Sequence, residues 1–217
     1  EVKHAERLYT KLYNISQFLK MHDNESSSRD LQIYDKWILT RMQKLIKNIT
    51  DGFDNYRFPI IEIENFIWHE LADYYIEAVK HRLYSGIKKS GAVWTLNYCI
   101  LNAIKLLAPF APHITEEIYQ TQFKKSFKEK SLHISEWPKF DKKLYFSEEE
   151  KLGEIANDII ASIRQYKTEN KMAMNAPLKK VVIECEEISP VLNDIKETMK
   201  IENIKTGKAG NITTEKF

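Results

Sequence analysis

Two stretches of this chain carry side chains whose types and spacing could do chemistry. The first is VKHAERLYTKLYNISQF, residues 2–18, where Lys3, Arg7, Lys11, Asn14 and Phe18 recur at intervals of three or four. At about 100° per residue they form one ridge of a helix. Leu8, Leu12, Ile15 and Leu19 form a second stripe about 90° away, and this apolar stripe must face a core. Three cations can hold phosphates, an amide can hydrogen-bond a base edge, and a ring can stack on an unpaired base for about 1–3 kcal/mol. The same pattern also suits a solvated charged face with Phe18 at the core margin.

The second stretch is His69-Glu70-Leu71-Ala72-Asp73, close to the H-E-x-x-H signature of zinc hydrolases. A catalytic zinc needs about three protein ligands, and His69 with Asp73 supplies two. His81 lies about 18 Å further along the same helix and cannot complete the set. The segment therefore reads as an i,i+4 His–Asp pair, with no metal site and no catalytic residue expected. The chain has no glycine-rich phosphate loop and no G-x-S-x-G elbow. Glu116 and Glu117 point about 100° apart on a helix and do not make a catalytic carboxylate pair.

The elements that must position these residues are mostly helical. Of 217 residues, 43% are apolar and only six are glycine and six proline, which favours long helices around a sizeable core. A net charge of +2 argues against a general polyanion coat, so any nucleic-acid contact must be local. Helices are predicted over about 2–21, 35–55 (with Asp35 as N-cap), 59–83 and 91–107, with another opening at Pro112 and carrying Glu116 and Glu117 in its first turn. The third helix would bury Ile60, Ile63, Ile67, Leu71, Tyr74 and Ala78; the fourth, Val93, Leu96, Ile100, Ile104 and Leu107. The apolar run from Ala92 includes Lys105 and two asparagines, which suits a core helix and not a membrane span.

After residue 130 the texture changes. SLHISEWP reads as extended, 148–169 as helix, KKVVIEC as a strand, PVLNDIKETMK as a short helix and IENIKTG as a second strand. The expected architecture is mainly α: an antiparallel helix bundle over 1–130, then a small α+β subdomain over 131–217. Cys99 and Cys185 lack metal spacing and read as reduced thiols of a cytoplasmic protein. The chain opens in helical periodicity with neither an initiator methionine nor a signal peptide, as expected of a segment of a longer protein.

Several segments together resemble the class I aminoacyl-tRNA synthetases for branched aliphatic amino acids, the valyl type most of all. They are KLYNISQF at 11–18, YDKWILTRM at 34–42, NYRF at 55–58, FIWHELADYYIEAVKHRLY at 66–84, LLAPFAPHITEEIYQ at 106–120, SEWP, and NAPLKK at 175–180. Isoleucyl and leucyl enzymes have related bundles and form one alternative; a helical protein-interaction scaffold that no longer reads RNA is another. The resemblance implies an anticodon-binding domain of that family's class Ia type, whose partner is a valine-specific tRNA and whose parent enzyme attaches valine using ATP and Mg2+. The His-Ile-Gly-His and Lys-Met-Ser-Lys-Ser signatures of catalysis are absent here and would lie upstream, so this segment is expected to be inactive, cofactor-free and monomeric. It also implies RNA contacts for Lys11 and Phe18. Gln17 stands where the family has arginine, and can hydrogen-bond a base without bringing charge.

Overall fold

The computed structural model describes residues 2–22, 29–55, 60–183, 185, 187–206 and 212–215. The polar loop 23–28 and Pro59 lie outside them. Helix α1 spans Val2–His22, α2 Ile33–Asp54 and α5 Lys89–Leu107. Between α2 and α5 runs one helical rod: α3 (Ile60–Asn65), a π-helical stretch (Phe66–Ile76) and α4 (Glu77–Ser85). Gly86 ends the rod at φ 79°, the left-handed conformation that glycine adopts without a Cβ penalty. Helix α6 (Pro112–Ile118) continues into a π turn, Tyr119–Phe123.

The apolar stripes fall where helical periodicity puts them. Leu8, Leu12, Ile15 and Leu19 are buried on α1, as are Val93, Leu96, Ile100, Ile104 and Leu107 on α5. The rod differs in phase. Its π-helical part buries Phe66 and Ile67, then Leu71 and Ala72, then Tyr75 and Ile76. The wider i→i+5 winding shifts the inward face, so Tyr75 is buried and Tyr74 only partly.

Two helix starts differ from expectation. Helix α2 opens behind Gln32, so Asp35 is its third residue; its carboxylate reaches back to the Gln32 N–H at 2.8 Å. Glu116 lies beyond the first turn of α6 and accepts from Ser131 Oγ (3.0 Å) and the Leu132 N–H (2.9 Å). Burial works to raise its carboxyl pKa, but bonds from Gln120, Leu132 and Ser131 hold it below the ordinary value.

SLHISEWP, read from sequence as extended, is a 3₁₀ turn at Leu132–Ile134 followed by chain without regular secondary structure. Helix α7 (Ser147–Glu169) packs along α2: Gly153 sits where a Cβ would lie 2.4 Å from the Trp37 ring, and Lys36 pairs with Glu149 at 2.9 Å. Strands β1 (Leu178–Ile183) and β2 (Ile201–Thr206) pair in parallel, with α8 (Leu192–Met199) as crossover. A third strand, β3 (Ile212–Glu215), adds antiparallel to the other edge of β1. The fold is thus a mainly α bundle with a small α+β part. His81 Nε2 and Asp194 Oδ1 (3.2 Å) tie α4 to α8. Lys167, fully buried, donates to the carbonyls of Met174 (2.9 Å), Ala176 (2.8 Å) and Met199 (2.9 Å).

Candidate nucleic-acid interface

The ridge of α1 lies beside its buried stripe. Arg7 and Asn14 are exposed, while Lys11, Gln17 and Phe18 are partly so. Lys3 falls in α1, but its side chain is outside the described set. Arg7 makes no ion pair with a described side chain.

Lys11 is held. Its Nζ lies 3.1 Å from Asp73 Oδ1 and 5.3 Å from the centre of the Trp68 ring. Asp73 also meets His69 Nδ1 at 3.2 Å, and its carbonyl accepts from Arg164 Nη2 at 3.0 Å. The HELAD segment is therefore an i,i+4 pair extended by Lys11. Glu70, its other carboxylate, faces Arg41 at 2.7 Å. No cluster of metal-ligand type occurs among the described residues.

Phe18 belongs to a three-ring cluster. Its ring meets His22 edge-on at 4.7 Å and Tyr84 at 6.4 Å, and His22 meets Tyr84 at 4.9 Å. Phe18 is thus partly buried, packed against the core and against both rings. Tyr84, at 70% exposure, leaves most of its own surface open. His22 is buried, and burial first, then the charge of Lys89, lowers its pKa.

The cluster is positioned from the core. Asp35, fully buried, accepts from Arg82 (Nη1 at 3.0 Å, Nη2 at 2.8 Å), from the Tyr75 hydroxyl at 2.6 Å and from the Gln32 N–H. Burial opposes the Arg82 charge, but the bonds and charge of Asp35 raise its pKa above the ordinary value. Arg82 also donates to the Lys88 carbonyl at 2.9 Å, fixing the turn that follows Tyr84.

Of the six sequence-derived residues, the structure brings Arg7, Lys11, Asn14, Gln17 and Phe18 onto the accessible side of α1. It adds Trp68, Asp73, Arg164, His22 and Tyr84. Periodicity within α1 carries no signal for residues of the rod or of α7.

A helical bundle presenting a cationic, amide-bearing and aromatic ridge is the form of an RNA-reading module. The family model of the anticodon-binding domain of tRNA ligase matches residues 35–183, and the chain belongs to that family. The particular relatives are valine–tRNA ligases. The chain is 40% identical over 214 residues to that of Thermococcus kodakarensis, covering 92% of this chain and 24% of the relative. It is 41% identical over 218 residues to that of Pyrococcus furiosus, covering 93% and 24%. For Methanocaldococcus jannaschii the identity is 41% over 221 residues, covering 94% and 24%. The chain thus spans about a quarter of the length of these relatives.

No helix among the described residues is long and apolar enough to cross a membrane. Cys99 and Cys185 are free, and burial pushes the Cys99 thiol well up.

Proposed function

We propose that this chain reads the anticodon loop of a valine-specific tRNA, for a parent ligase that attaches valine to that tRNA with ATP and Mg2+. Residues 1–130 carry the reading surface, and 131–217 brace it. The activating chemistry belongs to the parent's catalytic part; this segment holds no catalytic residue and needs no cofactor of its own. It works as a cytoplasmic monomer.

One observation carries the reading: Arg7 and Asn14 are exposed, and Lys11, Gln17 and Phe18 partly exposed, beside the buried stripe of α1. Single-stranded loops can splay their bases onto such a surface. Lys3, Arg7 and Lys11 take phosphates, Asn14 and Gln17 hydrogen-bond base edges, and the free part of the Phe18 ring stacks on a base. The anticodon-binding family and the names of the relatives support this assignment.

The test is a titration of the chain with valine tRNA and with the same tRNA carrying a foreign anticodon. Valine tRNA should bind more tightly, and Phe18→Ala should remove about 1–3 kcal/mol of that preference. Equal affinity for both RNAs, unmoved by Phe18→Ala, would overturn the reading.

A further inference from the structure

The strongest unassigned feature is the loop after α6, QFKKSFKEKS at 122–131, which holds four lysines against one glutamate in a chain whose net charge is only +2. Lys125, Lys128 and Lys130 are exposed and make no ion pair with a described side chain. Phe127 between them is 42% exposed and stands edge-on at 6.4 Å from the buried Phe123 ring. An aromatic ring projected from a core ring and flanked by free cations is an arrangement that suits a nucleic-acid strand.

The loop backbone is pinned. Its Glu129 carbonyl accepts from the Tyr119 hydroxyl at 3.0 Å, and its Lys130 carbonyl from Gln120 (2.7 Å) and Lys124 Nζ (2.8 Å). Glu116 holds Ser131 and the Leu132 N–H behind it. The single carboxylate, Glu129, is only partly exposed, whereas Lys125, Lys128 and Lys130 are exposed. What remains outward is cationic. Holding the backbone while leaving the lysine tips unpaired lowers the ordering cost of binding a polyanion. Helix α6, which leads into the loop, also packs against α1.

We infer that Lys125, Lys128 and Lys130, with Phe127, form a second RNA contact, one that grips the sugar–phosphate backbone of the tRNA outside the anticodon without regard to sequence. The inference rests on the tRNA reading above. A phosphate-backbone contact and a base-reading contact differ in signature. Loss of the first weakens binding to every sequence alike and flattens its salt dependence; loss of the second changes discrimination.

The experiment compares the wild-type chain with the Lys125→Gln/Lys128→Gln/Lys130→Gln variant. Each is titrated with valine tRNA and with its anticodon-swapped form over a salt series that starts low. All three side chains are solvent-facing, so the variant should keep the wild-type circular dichroism spectrum and melting curve. It should lose affinity for both RNAs by the same factor, with a log–log salt slope shallower by about two to three. Phe127→Ala should weaken both as well. Unchanged affinity and slope in the triple variant would overturn the loop contact and leave the anticodon reading intact. Equal wild-type binding of both RNAs, with a loss in the triple variant, would sink the anticodon reading and support the loop. Absence of binding to either RNA at the lowest salt would overturn both. Capture of a polyglutamate peptide in place of RNA, dependent on the same lysines, would assign the loop to an acidic protein partner and overturn the inference.

Discussion

Replacing Arg82 with methionine removes the cation from a carboxylate that water does not reach. Arg82 is 3% exposed and Asp35 0%. Methionine keeps much of the buried apolar volume, so the loss is chiefly electrostatic: two charge-assisted bonds at 3.0 and 2.8 Å, plus the bond to the Lys88 carbonyl. Asp35 retains the Tyr75 hydroxyl and the Gln32 N–H, two neutral donors for a full charge. Breaking such a pair from one side costs about 3–5 kcal/mol, and the surviving donors place the expectation near the lower figure. A domain with typical stability of roughly 5–15 kcal/mol would remain folded. Urea unfolding followed by far-ultraviolet circular dichroism should show the midpoint lowered by about 1 M or more. The Asp35→Asn/Arg82→Met double variant should be more stable than Arg82→Met alone, because a neutral amide at this place needs no cation. A loss under about 1 kcal/mol in Arg82→Met, or a double variant whose loss equals the sum of the two single losses, would refute the reasoning. The perturbation bears on function as well, since Arg82 fixes the turn after Tyr84 and so the ring beside Phe18.

Lys167→Met should strip three carbonyls of their donor and cost roughly 3 kcal/mol or more, read as a lowered urea midpoint; a loss within about 0.5 kcal/mol would mean that water takes over those carbonyls. Because the folded pKa of His22 lies below its ordinary value, its share of stability is complete above about pH 6.5 and declines as acid protonates the unfolded chain first. The melting temperature should therefore fall more steeply on acidification through that window in wild type than in His22→Leu, and parallel curves would exclude the burial of a neutral ring as the cause.

What was legible in the sequence was local. The stripe of Leu8, Leu12, Ile15 and Leu19 follows from a period that one helix imposes on its own residues and is buried in the structure; beside it Arg7 and Asn14 are exposed and Lys11 and Phe18 partly so. Helix α5 and the β1–α8–β2 order were legible for the same reason. Asp35 was misplaced as an N-cap because a carboxylate serves equally at the third position, reaching back to the Gln32 N–H; its bonds to Tyr75 and Arg82, 40 and 47 residues away, left no local signal. Tyr74 was exchanged with Tyr75 because a regular helical period does not describe π winding. Of the rings beside Phe18, His22 lies one turn further along α1, within reach of helical periodicity, whereas Tyr84 comes from the far end of the rod, and nothing within α1 points to it.

The charged pairs of this fold divide by burial into those that hold it and those that can be exchanged. Arg82 and Asp35 are sealed from solvent, and separating them would leave a bare buried charge. The Lys11–Asp73 pair is different: the two side chains are 32% and 39% exposed, and a pair in that setting is worth about 1 kcal/mol or less. A phosphate arriving at α1 can replace Asp73 as the partner of Lys11 at little cost, while Asp73 keeps His69. The carboxylate and the Trp68 ring hold the lysine tip beforehand, so under the proposed reading less side-chain entropy would be lost on binding RNA. Arg7 has no such holder among the described side chains and, under the same reading, would contribute through long-range attraction, which salt screens. A ridge made this way would combine one pre-placed cation with one unheld cation ahead of a partly buried ring. That order suits a strand whose phosphates are captured first and whose base is stacked last.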